Sequence, residues 1–175
     1  MINSTPNNKN YNQGNYIPKY KDKVVKLNNL GGVFYRSSWE KKIMYWLDHK
    51  KEIIRWGAEC LIIPYQLTHF ESGTPEVKQH CYYPDFYYEL KTESGEIKKV
   101  VVEVKPYKEY KMVQDLNEKK LVIPEKGTKK LKNFEYDLLM ANKNNQKWET
   151  MIKWCNLKGY SFIIITEHQL KKFNL

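Results

Sequence analysis

The stretch Ile97-Lys-Lys-Val-Val-Val-Glu-Val-Lys105, closed by Pro106, limits most strongly what this chain can fold into. Valines crowd a helix at their branched Cβ and favour a pleated strand, and a proline ends such a strand because it has no N–H to give. A strand alternates its side chains, so Val100, Val102 and Val104 share one face while Val101, Glu103 and Lys105 share the other. An acid and a cation therefore stand together at the end of an otherwise apolar strand.

The neighbouring elements follow from periodicity. Ser37 or Ser38 supplies an N-cap. From Trp39 to about Lys50 the residues Trp39, Ile43, Trp46 and Leu47 recur at helical spacing. Glu40 lies on the inner edge of that stripe beside Ile43, Met44 and Leu47, whereas Lys41, Tyr45 and Asp48 point away. A carboxylate on a buried helix edge is costly unless something cationic meets it. Cys60-Leu-Ile-Ile-Pro-Tyr65 reads as a first strand, followed by a polar loop with Gly73 and Pro75. Tyr82 to Leu90 reads as a second strand, Glu93-Ser-Gly95 as a tight turn, and Ile97 to Lys105 as the third strand of an antiparallel meander. Residues 107–130 are Lys-rich and irregular, with Pro124 and Gly127 breaking any helix. A long helix starts near Lys130 on Leu131, Phe134, Leu138, Ala141, Trp148, Ile152 and Cys155, with the polar run Asn142–Gln146 expected to bend or interrupt it. Gly159 stops it, Tyr160–Ile165 is a buried strand, and Thr166 caps a short final helix. The order helix, three strands, helix, strand predicts an α/β fold with a mixed sheet flanked by helices.

Charge bears on partners. The 175 residues carry 30 Lys and Arg against 20 Asp and Glu, a formal net charge of +10. Such an excess points to a polyanion, nucleic acid first, although Lys- and Asn-rich codon usage would give the same composition. Residues 1–30 hold five lysines and one acid, Asp22, without periodicity; they read as a basic polar arm, mobile or draped on the surface, ahead of a domain over 31–175. Cys60, Cys81 and Cys155 are scattered and odd in number, which predicts neither a disulfide framework nor a zinc site. No run approaches the length of a membrane span and no apolar leader is present, so a soluble, intracellular or virion-type protein is expected.

The most informative spacing sets Tyr83-Pro-Asp-Phe86 eighteen positions before Glu103-Val-Lys105. Carboxylates that converge can hold Mg²⁺, with Mn²⁺ as a substitute, because hard cations take oxygen ligands and keep several waters. Asp85, near the start of one strand, and Glu103, at the end of its hairpin partner, can meet at one end of the sheet. The carbonyl of Val104 can add a third oxygen, and Lys105 a positive charge to orient water or stabilise a transition state. Glu-x-Lys or Pro-Asp alone is a weak signal. Their order, spacing and parity together, with Glu40 on a preceding helix, outweigh an ordinary exposed Glu103–Lys105 pair.

At this point the chain resembles a known family. Tyr35-Arg-Ser-Ser-Trp-Glu40, Trp56-Gly-Ala-Glu59, Ile62-Ile-Pro-Tyr65, His80-Cys-Tyr-Tyr-Pro-Asp-Phe86 and Val102-Glu-Val-Lys-Pro106 resemble the head completion nucleases of tailed phages, as do Lys147-Trp148, Trp154-Cys155, Gly159 and Ile165-Thr-Glu167. The resemblance spans about residues 33–170. More distantly the pattern is similar to transposon-type endonuclease subunits and junction-resolving endonucleases of the PD-(D/E)XK superfamily. It implies a restriction-endonuclease-like αβββαβ core. It also implies Asp85 and Glu103 as metal ligands, Lys105 as the catalytic lysine, and Glu40 as a carboxylate binding metal or holding water. The implied activity is endonucleolytic cleavage of DNA at the end of packaging, in the host cytoplasm during virion assembly or associated with the virion, with head or portal proteins as further partners. Nothing carries over to residues 1–30 or 107–130.

Lesser candidates stand against blander readings. Arg36 can contact phosphate or Glu40, or make a surface ion pair. His80 can touch substrate or be a satisfied structural histidine. Glu59 can join the acids or be solvated. Lys147 can reach the site from the long helix, and Lys108, Lys111, Lys119 and Lys120 can track a DNA backbone without sequence preference. Rival functions are a nuclease with a junction-resolving, restriction or transposon role, and a non-catalytic head-completion protein that binds DNA.

Overall fold

The computed structural model describes residues 12–71 and 74–172, and the side chains of all of these except 68–75 and 172. Ile97–Val104 forms strand β7, and it occupies the interior of a four-stranded sheet. The sheet order is Ile53–Ala58 (β3), Phe86–Lys91 (β6), β7, then Ser161–Ile165 (β8). The first three strands are antiparallel, and β8 joins parallel to β7 with Val104 opposite Ile165. The valine alternation now has its cause. Val100 and Val102 pack with Phe86, Tyr88, Ile53 and Trp56 beneath helix α1 (Ser38–His49), which contributes Ile43, Met44 and Leu47. Val101 packs on the opposite face with Tyr87, Met151 and Cys155, the last two from helix α3 (Lys129–Lys158). A mixed sheet with helices on both faces is the α/β, restriction-endonuclease-like architecture expected from the element order.

Several elements differ from their expected form. The sheet's first strand is β3, while the apolar run 60–65 instead leads into Ile63–Glu71 (β4), which pairs over nine positions with Thr74–Tyr82 (β5) as a separate hairpin. The expected loop around Pro75 lies in that ladder, apart from Gly73, which falls outside the described residues. Arg55, Gly57 and a register irregularity between Ile53 and Arg55 hide β3 from a hydrophobic scan. The expected strand 82–90 is cut at Tyr83-Pro84-Asp85, because a proline cannot continue the ladder. Tyr107–Asn117 is a helix, α2, since Pro124 and Gly127 fall beyond its end. Val113 packs against Ala141 and Trp148 of α3. The asparagine run does not interrupt α3: Asn142 donates to the Leu138 carbonyl, Asn145 to Glu149 and Asn144 to Glu109, so the amides find partners without leaving the helix. At about 1.5 Å per residue α3 is some 45 Å long. It ends at Gly159, whose φ of 67° lets the Tyr160 N–H reach the Cys155 carbonyl at 2.8 Å. β8 is partly exposed rather than buried, being an edge strand, and Glu167–Lys172 (α4) is the last described element.

The described part of the expected arm is built into the domain. Gly14–Tyr16 (β1) pairs with Val33–Tyr35 (β2), Val24 bridges to Trp56, and Tyr16, Val24 and Leu27 pack against the α1 core. Residues 1–11 lie outside the described residues. This packing also corrects Asp48, expected to face solvent. It is fully buried because the N-terminal segment folds over that side of α1. Its carboxylate accepts from the Tyr16 hydroxyl at 2.8 Å, the Lys19 N–H at 2.7 Å and the Tyr20 N–H at 3.0 Å. Asp48→Ala orphans three donors at once, and we expect a loss on the order of 3 kcal/mol. The melting temperature should fall by roughly 6–12 °C, with faster tryptic cleavage between Lys19 and Lys26. Asp22→Ala, at an exposed position, should leave both measurements unchanged.

Candidate active site

The site forms where β6 and β7 run out of ladder. Their last paired residues are Phe86 and Val102. Beyond them the Asp85 carboxylate takes the place of a strand carbonyl, accepting the Val104 N–H at 2.6 Å, while the Asp85 main-chain carbonyl accepts the Glu59 N–H at 3.1 Å. Glu59 adopts a φ of 44°, uncommon for a residue with a side chain, and turns the end of β3 toward Asp85. In a strand the N–H and C=O of one residue point to the same side. The Val104 carbonyl therefore lies on the edge that faces Asp85, as a third oxygen.

Glu103 is 3% exposed. One of its oxygens accepts the Tyr82 hydroxyl at 2.5 Å and the other faces the Lys105 ammonium at 3.3 Å. Burial, then the Glu103 charge, pushes the Asp85 carboxyl up to about 7, against the Val104 N–H and Lys105, which pull it down. Burial alone would lower Lys105, but the charges of Glu103, Asp85 and Glu109 outweigh it and hold the ammonium above its ordinary value. Tyr82 is driven far up, first by burial and then by the Glu103 charge, so its hydroxyl stays a donor.

Glu40 stands at the same mouth. A pocket of about 370 Å³ is lined by Ser37, Ser38, Trp39, Glu40, Asp85, Val104, Lys105 and Pro106. What meets the Glu40 carboxylate is not a cation but the start of its own helix. Ser37 Oγ accepts the Glu40 N–H at 3.1 Å and donates back to the carboxylate at 2.9 Å, and the Arg36 N–H donates to the other oxygen at 2.9 Å. This reciprocal cap removes the expected cost of a buried-edge acid.

The remaining candidates divide. The Arg36 guanidinium pairs with Glu59 at the rim, not with Glu40. Lys147 enters the site from α3: its ammonium lies 5.3 Å from the Tyr82 ring centroid. Burial lowers its pKa, Glu103 opposes that, and Lys105 adds to it. Lys108 pairs with Asp137 at 2.6 Å on the outer side of α2, and Lys111 and Lys120 pair with Asp115 and Glu118. His80 sits in β5 opposite Tyr65, with ring centroids 5.6 Å apart, two residues before Tyr82. Tyr82 is the site residue that sequence reasoning passed over. Its signal is its place in His80-Cys-Tyr-Tyr-Pro-Asp-Phe86, three positions before Asp85, where an aromatic with a polar tip closes the strand.

Among the described residues no three His, Cys, Asp or Glu side chains form a closed metal cage. The set present is two carboxylates and a main-chain carbonyl, the open oxygen site that suits a hydrated Mg²⁺ better than zinc. Burial first and the Glu103 charge second displace the Asp85 carboxyl upward, and a divalent cation at this corner would relieve both.

Residues 50–167 match the family model of the TnsA-like endonuclease N-terminal domain. The head completion nuclease of Enterobacteria phage T4 is 30% identical over 139 residues, covering 79% of this chain and 81% of that protein. No solved structure matches. No helix among the described residues is long and apolar enough to cross a membrane.

The raised Asp85 carboxyl makes a pH prediction. The unfolded chain releases this proton near the ordinary value of 3.8, the folded protein only near 7. Between those values the unfolded state binds fewer protons, so stability falls as pH rises, with the full cost above pH 7. Asp85→Asn keeps an oxygen for the Val104 N–H but removes the charge. In EDTA at pH 7.5 its melting temperature should exceed wild type by roughly 3–6 °C, the gap closing toward pH 4 in a calorimetric series. A less stable variant at pH 7.5 would show that the carboxylate is not under electrostatic strain.

Proposed function

The chain belongs to the TnsA-like endonuclease N-terminal family and to that of the head completion nuclease, and from this premise we propose a Mg²⁺-dependent DNA endonuclease of the PD-(D/E)XK type acting in phage head completion after packaging. The observation that carries the reading is the meeting of Asp85 and Glu103 at one end of adjacent strands, with Lys105 at 3.3 Å from Glu103. Asp85, Glu103 and the Val104 carbonyl would hold the metal, with Glu40 as a further carboxylate. Mg²⁺, or Mn²⁺ in its place, supplies an acidified water and a polarised phosphoryl group when bound.

The chain's own groups do the rest. Lys105 stays protonated at neutral pH, so it serves as a fixed positive charge beside the phosphate rather than as a base. A carboxylate has about four lone-pair sites and the helix cap uses two of those on Glu40, which leaves room to hold a water. One site cuts one strand, so a single chain nicks in each event. The net charge of +10 favours a polyanionic substrate. The place in head completion rests on the relationship to the phage T4 protein: processing of the DNA terminus, or making the filled head competent for neck and tail, in contact with head or portal proteins. It would act in the host cytoplasm or on the virion. A purely structural DNA-binding role would not require Glu40, Asp85, Glu103 and Lys105 to be retained together.

Purified protein with Mg²⁺ should cleave DNA in a panel of linear, nicked and branched substrates, and EDTA should abolish cleavage. Asp85→Ala and Glu103→Ala should each lower the single-turnover rate by about 10³-fold or more. Cleavage that survives both substitutions, or activity on RNA alone, would refute the assignment.

A further inference from the structure

Helix α3 buries Ala141, Asn144, Trp148, Met151 and Cys155 along one stripe. Lys147 follows Asn144 by three positions and precedes Met151 by four, which places it on that inner stripe. Lys143, Lys153 and Lys158 of the same helix are exposed, as lysines usually are. The half-buried Lys147 ammonium lies over the Tyr82 ring at 5.3 Å, and it has no hydrogen bond or ion pair among the described residues. All three of its N–H donors are therefore open. A lysine that merely laid its stem on the sheet would carry its ammonium out to water. This one keeps it close enough to Glu103, Lys105 and Asp85 to feel their charges.

Tyr82 links the two sides of this arrangement. Its hydroxyl fixes one oxygen of Glu103 at 2.5 Å, and its ring face seats the ammonium. Lys105, from the end of β7, approaches the other oxygen of Glu103. Cations from β7 and α3 thus flank the acid pair. Lys147 is a second cation beside a corner that already holds Asp85 and Glu103 and that an anionic substrate would have to approach.

We infer that Lys147 is a second phosphate-binding cation of the active site, engaging a non-bridging oxygen of the scissile phosphodiester, with Tyr82 as the positioning residue that holds Lys147 and Glu103 in register. The inference rests on the nuclease reading above. Lys147→Met should lower the single-turnover cleavage rate of duplex DNA in Mg²⁺ by about 10²-fold. In EDTA, the slope of log affinity against log salt for a short duplex should shrink by about 0.9, one phosphate contact. Lys147→Arg should restore the slope and most of the rate. Tyr82→Phe should slow cleavage by about 10-fold with a smaller change in affinity. If Lys147→Met melts earlier but keeps the wild-type slope and rate, the lysine is structural and the inference falls while the nuclease reading stands. A wild-type protein that neither cuts nor binds DNA overturns both.

Discussion

The hydrogen bond between the Val104 N–H and the Asp85 carboxylate is the contact on which the rest of the site depends. A sheet ends where its backbone partners run out, and Pro84 ends β6 early by removing a donor. One residue later the chain extends the ladder with a side chain instead of a carbonyl. Because the main-chain carbonyl of the same residue receives the Glu59 N–H, three strand ends are tied at Asp85. Glu103 and Lys105 flank Val104 and so inherit their position from that bond.

The arrangement is electrostatically strained, and the strain is local. Asp85 and Glu103 are buried together, and the Asp85 carboxyl is displaced upward by its burial first and by the Glu103 charge second. Each acid keeps fixed donors that favour its charged form, the Val104 N–H for one and the Tyr82 hydroxyl for the other. Negative charge is thereby held in place without being fully neutralised, the condition in which a cation binds strongly. The cost is carried elsewhere, by apolar packing on both faces of β7 and by the Asp48 clasp on α1.

How much of this was legible depended on whether the signal was local. The faces of β7 follow from period two, so the pairing of Glu103 with Lys105 and the separation of Val101 from Val100 and Val102 could be read directly. The approach of Asp85 to Val104 needed only a hairpin with a tight turn, and the spacing showed one. Glu40 was readable as a helix acid, yet its partners were not cations. The capping pattern Ser37-Ser-Trp-Glu40 was in plain sight and had a second use. Asp48 was misplaced because helical periodicity says which face meets the core, not which face another segment will cover. β3 and α2 escape the apolar pattern because Arg55 and Gly57 dilute the one and Lys108, Glu109 and Lys111 the other, which tertiary packing on Trp56 and Trp148 restores. Tyr82 could not be placed at the site until the hairpin that carries it was folded.

The parallel pairing of β7 with β8 also sets the order in which the site can be assembled. Asp85 and Glu103 are brought together by an antiparallel hairpin whose turn is a few residues long. Val104 meets Ile165 only after a crossover that contains both α2 and α3. Closing the longer loop costs more chain entropy, and such non-local pairings form slowly. The acid pair is thus a product of local folding, whereas Lys147 arrives with the crossover. A chain that has made the hairpin but not the crossover already holds its paired carboxylates and still lacks the α3 cation, so the ability to gather positive charge precedes the complete site along the folding path.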